Sequence, residues 1–159
     1  MATLVFDLNQ VINKCSYQVA PSTMYAIVKT ESHGNPLAIN INGKVKLKYQ
    51  PHTFKQAVKW VDYLELHGYN IDIGIAQVNI KNAHRFGFKA HDMLKPCHNL
   101  MVASVILRNN YIGALSNSTT QKEALQKAIS AYNTGNYRSG FNNGYVAKVV
   151  LNARQNKED

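Results

Sequence analysis

Signals that start and end helices recur along this chain and constrain its fold more than any other feature. Pro21 and Ser22 favour a helix start, and Gly34 with Pro36 favours the end of the same helix. Residues 120–123 read Thr-Gln-Lys-Glu, the pattern of a capping box. Apolar residues between such signals recur at three- and four-residue spacing, which is typical of amphipathic helices. The sequence therefore predicts a mainly α fold, with helices at about 6–14, 21–31, 53–67, 80–86, 96–115, 120–133 and 145–153.

A small β-hairpin is the one predicted exception. Asn42-Gly43 lies between two loosely alternating apolar segments, 37–41 and 45–49, and this arrangement favours a tight turn between two strands. A further apolar run, residues 71–80, is interrupted by Gly74. A glycine inside such a run predicts a bend or a close approach of another backbone.

The length and composition suit one domain. With 159 residues, 45% of them hydrophobic, the chain can bury a sizeable core, and we expect a single domain over 1–159 with its core at about 20–150. No stretch approaches the roughly 18 apolar residues that span a bilayer, so we expect no transmembrane segment. Residues 1–6 lack the basic start and long apolar core of a signal peptide. A mature exported protein shares that pattern, and we expect any signal peptide to be absent from this sequence.

The chain is basic, with 18 Lys and Arg residues against 9 Asp and Glu residues and a net charge of +9. Such a balance favours anionic partners, among them nucleic acid, a membrane face or an acidic cell-surface polymer, although a solvated basic surface explains it equally well. No predicted helix combines a Lys/Arg-lined face with side chains suited to reading bases, and we expect no nucleic-acid partner.

The two cysteines, Cys15 and Cys97, leave two alternatives open. They could form one disulfide between the N-terminal segment and the middle of the chain, or they could be two buried free thiols. Neither belongs to a CxxC or Cys/His pattern with zinc-ligand spacing, so we expect no metal site.

Glu31 is the first candidate for chemistry. It lies where a predicted helix ends, so its carboxylate faces the negative end of the helix dipole. That position penalises the ionised form and raises the proton affinity. A carboxyl group that keeps its proton near neutral pH can act as a general acid. The alternative is a solvated glutamate in a last helical turn.

Two further segments carry polar residues in apolar surroundings. Residues 74–77 read Gly-Ile-Ala-Gln, preceded by Asp72 and followed by Asn79. If buried, these amides must bond the backbone or face a ligand, and Asp72 either braces the turn or takes part in the chemistry. Residues 131–133 read Ala-Tyr-Asn at a predicted helix end, where a core tyrosine and a capping asparagine are the ordinary interpretation.

The order and spacing of the Glu31-Ser32, Gly74-x-x-Gln77 and 131–133 segments resemble lytic transglycosylases, which share the goose-type lysozyme fold and cleave peptidoglycan. The resemblance covers about 20–150, and it implies a lysozyme-like fold. Of the family's Gly-Leu-Met-Gln motif only Gly74 and Gln77 are identical, whereas Ala-Tyr-Asn matches in full. Residues 145–149 resemble the closing tyrosine-containing helix.

Within this family the chain is most similar to the small enzymes that serve type IV secretion and conjugation systems. The turn at 33–36 and the Asp72-x-Gly74 segment carry this closer resemblance. It implies action in the periplasm or cell envelope, on peptidoglycan glycan strands, with secretion-system components as further partners. An oxidising compartment of this kind favours the disulfide between Cys15 and Cys97.

The resemblance implies a reaction at the β-1,4 bond between MurNAc and GlcNAc, with Glu31 as general acid and then base. The substrate's 2-acetamido group would stabilise the positive charge, which makes a second protein carboxylate unnecessary. The muramoyl 6-hydroxyl would then close a 1,6-anhydro ring. This reaction consumes no water and needs no cofactor. A goose-type hydrolase, with Asp72 activating a water molecule, and a non-catalytic wall-binding module remain the alternatives.

Substrate-binding roles are implied for six residues. Ser32 would hold the carboxyl or acetamido group, and Tyr132 would bond Glu31 or the acetamido group. Gln77 and Asn79 would offer amide hydrogen bonds to the sugars or brace their loop.

Two of the six lie near the end of the chain. Asn133 would shape the wall of a subsite. Tyr145 would stack on a sugar ring, as would Tyr137 in the preceding loop.

Overall fold

The protein, seen in a computed structural model that describes residues 6–156, is mainly α, as the sequence predicts. No helix within this described range is long and apolar enough to cross a bilayer. A short 3₁₀ helix, Ala90–Leu94, precedes the longest helix. The α-helices are α1 (Leu8–Cys15), α2 (Pro21–Ser32), α3 (Phe54–Leu66), α4 (Ile80–Arg85), α5 (Pro96–Leu115), α6 (Gln121–Thr134), α7 (Ser139–Asn142) and α8 (Tyr145–Gln155).

Most helix boundaries lie where the local signals predict them. The Thr53 hydroxyl accepts a hydrogen bond from the backbone N–H of Gln56 at the start of α3. The Thr120 hydroxyl likewise accepts from the N–H of Glu123. The Glu123 carboxylate, however, accepts from the N–H and hydroxyl of Thr119 instead of Thr120, so the predicted capping box is displaced by one residue.

The sheet differs from the predicted hairpin. Strands β1 (Ile39–Ile41), β2 (Ile71–Ile73) and β3 (Val78–Asn79) pair antiparallel in the order β1-β2-β3. Ile39 pairs with Ile73, and Ile73 in turn pairs with Val78. The hairpin is therefore the β2–β3 pair, and its turn is the glycine-containing segment 74–77.

The predicted hairpin around Asn42-Gly43 is wrong. Residues 44–50 form no strand, and the N–H of Asn42 donates to the carbonyl of Asn70 at 2.9 Å. Val45 is 53% exposed, whereas Ile71 and Ile73 are fully buried. The segment 71–73 offers β1 an apolar face to pack in the core, which the segment after Gly43 does not, so tertiary burial overrides the local turn signal.

Helix α2 lies between two clusters of buried side chains. Met24 and Val28 pack into a cluster formed with α1, α3, α5 and the sheet, whereas Ala26 and Ile27 pack into one formed with α5, α6 and α8. All four side chains are fully buried. A helix with apolar side chains on opposite faces needs other elements packed against both faces to bury them. The end of α2, which carries Glu31, is therefore held between the two halves of the molecule.

The two cysteines form a disulfide, which is one of the two alternatives that the sequence leaves open. Cys15, the last residue of α1, forms a disulfide with Cys97 in the first turn of α5, with their Cα atoms 5.1 Å apart. The bond ties α1 to the helix on which it packs. The apolar spacing in residues 53–67 predicts that Phe54 faces the core, but Phe54 is the first residue of α3 and is 47% exposed.

Candidate active site

A cleft of about 560 Å³ lies between the β2–β3 hairpin with α4 on one side and α5 with α6 on the other. The end of α2 closes it. Asparagine side chains recur along both walls, so the cleft offers amide donors and acceptors over most of its length. Seven residues singled out from the sequence line it: Glu31, Asp72, Gln77, Asn79, Tyr132, Asn133 and Tyr137.

Glu31 projects into this cleft from the last turn of α2 and is partly buried. Its Oε1 atom accepts a hydrogen bond of 2.6 Å from the hydroxyl of Tyr145, the first residue of α8. Burial raises the pKa of Glu31 from 4.5 to about 7. The Tyr145 hydrogen bond and the charge of Lys148 lower this pKa, and the charge of Asp72 raises it, but burial outweighs the others. The elevated proton affinity that the sequence predicts from the helix dipole thus has burial as its main cause.

The turn at 74–77 is the second component of the site. Gly74 has φ +80°, and a Cβ atom there would collide with the Met93 carbonyl oxygen and the Asn99 side chain. Asn99 is fully buried, and its Nδ2 atom donates to the carbonyls of Ile73 and Met93 at 2.7 and 2.8 Å. Its Oδ1 atom accepts from the N–H of Ala76 at 3.0 Å. One buried amide therefore fixes the backbone on both sides of the turn.

Two motif residues hold the same turn from the helical side. Ser32 Oγ donates to the carbonyl of Ile75 at 2.6 Å, and the Tyr132 hydroxyl donates to the carbonyl of Ala76 at 2.6 Å. Burial raises the pKa of Tyr132 well above its ordinary value, so this hydroxyl keeps its proton and acts as a donor. The structure thus places Tyr132 on the turn, and Tyr145 is the tyrosine that contacts Glu31.

Gln77 also bonds the backbone of its own region. It has φ +51°, and its Nε2 atom donates to the carbonyls of Ala38 and Gly74 at 3.1 and 3.0 Å. The three motifs that are far apart in sequence therefore meet through a single turn, which Ser32, Gln77 and Tyr132 all contact.

Asp72 and Asn79 face each other across the β2–β3 pair. Asn79 Nδ2 donates to Asp72 Oδ1 at 2.8 Å and to Asn70 Oδ1 at 2.7 Å. On the opposite wall, Asn133 Oδ1 accepts a hydrogen bond of 2.9 Å from Asn143. Asp72 therefore braces the hairpin and also contributes a carboxylate to the cleft.

The sequence analysis missed several residues of the cleft. Asn82, Arg85 and Phe86 line it from α4 and its C-terminal end, and Asn109 and Asn110 line it from α5. A signal existed for the second group, because two adjacent asparagines within an otherwise apolar helix require polar partners. Asn82 and Arg85 follow a three-residue spacing, which puts them on one face of a helix.

The ionisable groups of the site are few. Glu31 and Asp72 are the carboxylates of the cleft, and the disulfide takes up both thiols. Between residues 6 and 156 no three His, Cys, Asp or Glu side chains are grouped as metal ligands would be. The site offers one carboxyl group with a pKa near neutrality, a second carboxylate nearby, and many amides.

Comparison with known proteins found a matching family profile and several similar proteins. Residues 10–150 match the profile of the transglycosylase SLT domain. Protein virB1 of Rhizobium radiobacter is 41% identical over 150 residues, which cover 93% of this chain and 61% of that protein. Protein virB1 of Agrobacterium fabrum is 35% identical over 149 residues, or 94% of this chain and 60% of that protein.

A third relative, the type IV secretion system protein virB1 of Brucella abortus, is 39% identical over 146 residues, which cover 88% of this chain and 61% of the relative. The chain thus spans about three fifths of the length of these relatives. No solved structure matches it. A profile that extends over nearly the whole chain and relatives at this level of identity establish the family. This chain belongs to the transglycosylase SLT domain family.

Proposed function

We propose that this protein is a lytic transglycosylase that cleaves the β-1,4 bond between MurNAc and GlcNAc in peptidoglycan and leaves a 1,6-anhydromuramoyl end. The observation that carries the proposal is the state of Glu31. Its carboxyl group lies in the cleft, held by Tyr145, with a pKa raised to about 7. A group with this pKa can donate a proton near neutral pH and later accept one.

The reaction needs only this one protein carboxyl group. Glu31 protonates the glycosidic oxygen, and the bond from that oxygen to C1 of MurNAc breaks. The neighbouring 2-acetamido group stabilises the positive charge at C1, a form of substrate assistance that replaces a second carboxylate. The Glu31 carboxylate then takes the proton of the 6-hydroxyl, whose oxygen bonds to C1. The proton returns to Glu31, so the enzyme is regenerated without a water molecule.

The other motif residues support this chemistry through position. Ser32, Gln77 and Tyr132 use their polar atoms on the backbone of the turn beside Glu31. We therefore assign them to shaping the subsite wall, in place of direct sugar contacts. Asn79 and Asn133 line the cleft with part of their hydrogen-bonding capacity still available for a sugar.

We further propose that the reaction opens the cell wall locally for a secretion or conjugation apparatus, in the periplasm. The Brucella abortus relative is named a type IV secretion system protein, which supports this setting, and so does the disulfide, because disulfides persist in oxidising compartments. A net charge of +9 suits a wall polymer whose peptides carry carboxylates. A single domain over 1–159, with its core at about 20–150, would suffice for this activity.

Glu31→Gln tests the proposal. The amide keeps the shape of the side chain but cannot donate the proton, so release of anhydromuropeptides from purified walls should fall at least about 10²- to 10⁴-fold. Folding and wall binding should persist. The matched control is Asp62→Asn, which neutralises an exposed carboxylate on α3 that pairs with His91 and should retain full activity. Unimpaired glycan cleavage by the Glu31→Gln protein would refute the assignment.

A hydrolase remains the second candidate, because Asp72 lines the same cleft and could activate a water molecule. Mass spectrometry of the digested wall separates the two reactions. Anhydro ends indicate transglycosylation, whereas reducing ends that disappear in Asp72→Asn indicate hydrolysis. Wall binding with neither product would indicate a binding module instead.

A further inference from the structure

One cationic side chain of the cleft has no ion-pair partner within the described part of the chain. Arg85, the last residue of α4, is the only Lys or Arg among the described residues that line the cleft. The ion pairs found between residues 6 and 156 all lie elsewhere, and none includes Arg85. The carboxylate of Asp72, which lines the same cleft, accepts a hydrogen bond from Asn79. Arg85 is exposed and lines the cleft, so its guanidinium group is available to bind an anion.

Arg85 lines the cleft from α4, whereas Glu31 lines it from the end of α2. Asn82 precedes Arg85 by three residues on α4, so both side chains share one face, and Phe86 follows with 36% of its surface exposed. A cation, an amide and an aromatic ring thus stand together on the wall formed by α4.

The substrate that this site would meet limits what the anion can be. The sugar backbone of peptidoglycan is uncharged. Its anionic groups are carboxylates on the muramoyl substituent, either those of the stem peptide or the lactyl carboxylate exposed when the peptide has been removed. A guanidinium group binds a carboxylate through two parallel hydrogen bonds, which a lysine cannot reproduce. We propose that Arg85, with Asn82 and Phe86, forms a subsite for a carboxylate of the muramoyl substituent. This inference rests on the proposed function.

A cation in the last turn also stabilises a helix through the helix dipole. That effect acts on folding and would be the same for every ligand. Selective loss of affinity for anionic glycans is therefore the readout that separates a subsite from a structural role.

The test is a binding titration in the Glu31→Gln background, so that no ligand is cleaved. The probes are a peptide-bearing glycan oligomer, the same oligomer freed of peptide by an amidase, and neutral chitotetraose. We expect Arg85→Gln to weaken binding of at least one anionic oligomer about 10- to 100-fold without changing the affinity for chitotetraose. The affinity of Arg85→Lys for that oligomer should lie between those of the parent protein and Arg85→Gln, because lysine keeps the charge but not the two parallel hydrogen bonds. The matched control, Lys81→Gln, removes an exposed cation from the same helix outside the cleft and should change nothing.

Each outcome bears on the subsite. Weakening with the peptide-bearing oligomer alone assigns the carboxylate to the peptide, and weakening with the peptide-free oligomer assigns it to the lactyl group. Equal weakening with chitotetraose, unchanged affinity for both anionic oligomers, or no binding of any probe overturns the inference.

Activity measurements separate this inference from the proposed function. In a cleaving enzyme, Arg85→Gln should raise KM for the carboxylate-bearing substrate while kcat stays nearly constant. If the unmodified protein cleaves nothing but its binding still depends on Arg85, the proposed function fails and the subsite stands.

Discussion

The turn at 74–77 and the end of α2 lie side by side in the cleft, but they use their polar groups in opposite ways. At the turn, Ser32, Gln77, Asn99 and Tyr132 all bond to backbone atoms of the protein. At the end of α2, the Glu31 carboxyl group has one hydrogen-bond partner among residues 6–156, the hydroxyl of Tyr145. One region is closed to a ligand by its own hydrogen bonds, and the other remains open to one.

The turn at 74–77 therefore determines the geometry of the cleft, whereas Glu31 determines its acid–base properties. Polar groups that bond each other in a buried network make a segment rigid, because breaking any one bond leaves a buried group unpaired. A carboxyl group with few partners keeps an elevated pKa and an accessible proton. Substitutions at the turn should therefore act first on stability, and substitutions around Glu31 should act first on rate and on pH dependence.

The largest effect is expected for Asn99→Ala. It removes three hydrogen bonds and leaves the N–H of Ala76 and the carbonyls of Ile73 and Met93 buried without this partner. We expect a loss on the order of 4 kcal/mol in the free energy of unfolding, measured by urea denaturation.

The matched control for Asn99→Ala is Ser104→Ala. Ser104 is equally buried in α5, but its hydroxyl donates to the carbonyl of Leu100 within its own helix. Its loss should cost about 1 kcal/mol. Similar losses for the two variants would mean that the turn does not depend on Asn99.

The second effect concerns stability and pH. The pKa of Glu31 is raised from 4.5 to about 7, so between these values the folded state holds a proton that the unfolded state has lost. This group therefore makes unfolding easier as pH rises from about 4.5 to about 7, by roughly 3 kcal/mol as an upper value. Glu31→Gln should remove that decline, which denaturation at pH 4 and pH 8 measures. Parallel pH profiles of the two proteins would contradict a buried, proton-holding Glu31.

The third effect separates the two tyrosines. Tyr145→Phe removes the hydrogen bond that orients the Glu31 carboxyl group, so kcat/KM should fall about 10- to 100-fold. That bond also lowers the pKa of Glu31, and without it the alkaline limb of the pH–rate profile should move upward from near pH 7. A fall in rate with an unshifted limb would show that Tyr145 does not act through Glu31.

The smallest effect is expected for Tyr132→Phe, which loses one hydrogen bond to the carbonyl of Ala76. The free energy of unfolding should fall by about 1 kcal/mol, and the alkaline limb should stay where it is. If the alkaline limb moves as far as it does in Tyr145→Phe, Tyr132 also acts on Glu31, which would contradict its assignment to the turn.

The sequence predicted what depends on neighbouring residues. The starts of α3 and α5 follow from Thr53 and Pro96, because a capping hydroxyl or a proline acts within its own helical turn. The hairpin prediction at Asn42-Gly43 failed because it also rested on neighbouring residues alone. A turn signal is local, but β1 pairs with β2, some thirty residues further along the chain, because β2 has an apolar face that the core buries.

The motifs and their order were therefore readable in the chain, and so was Glu31 as the candidate acid. Only the tertiary structure decided which tyrosine meets it. Tyr145 is 114 residues from Glu31, and the packing of α8 on α2 brings the two side chains together. The same holds for Arg85, which lines the cleft but forms no ion pair with the described residues. Local hydrogen bonding fixes helix ends, whereas the pKa and the available charge of a site depend on what folding buries around it.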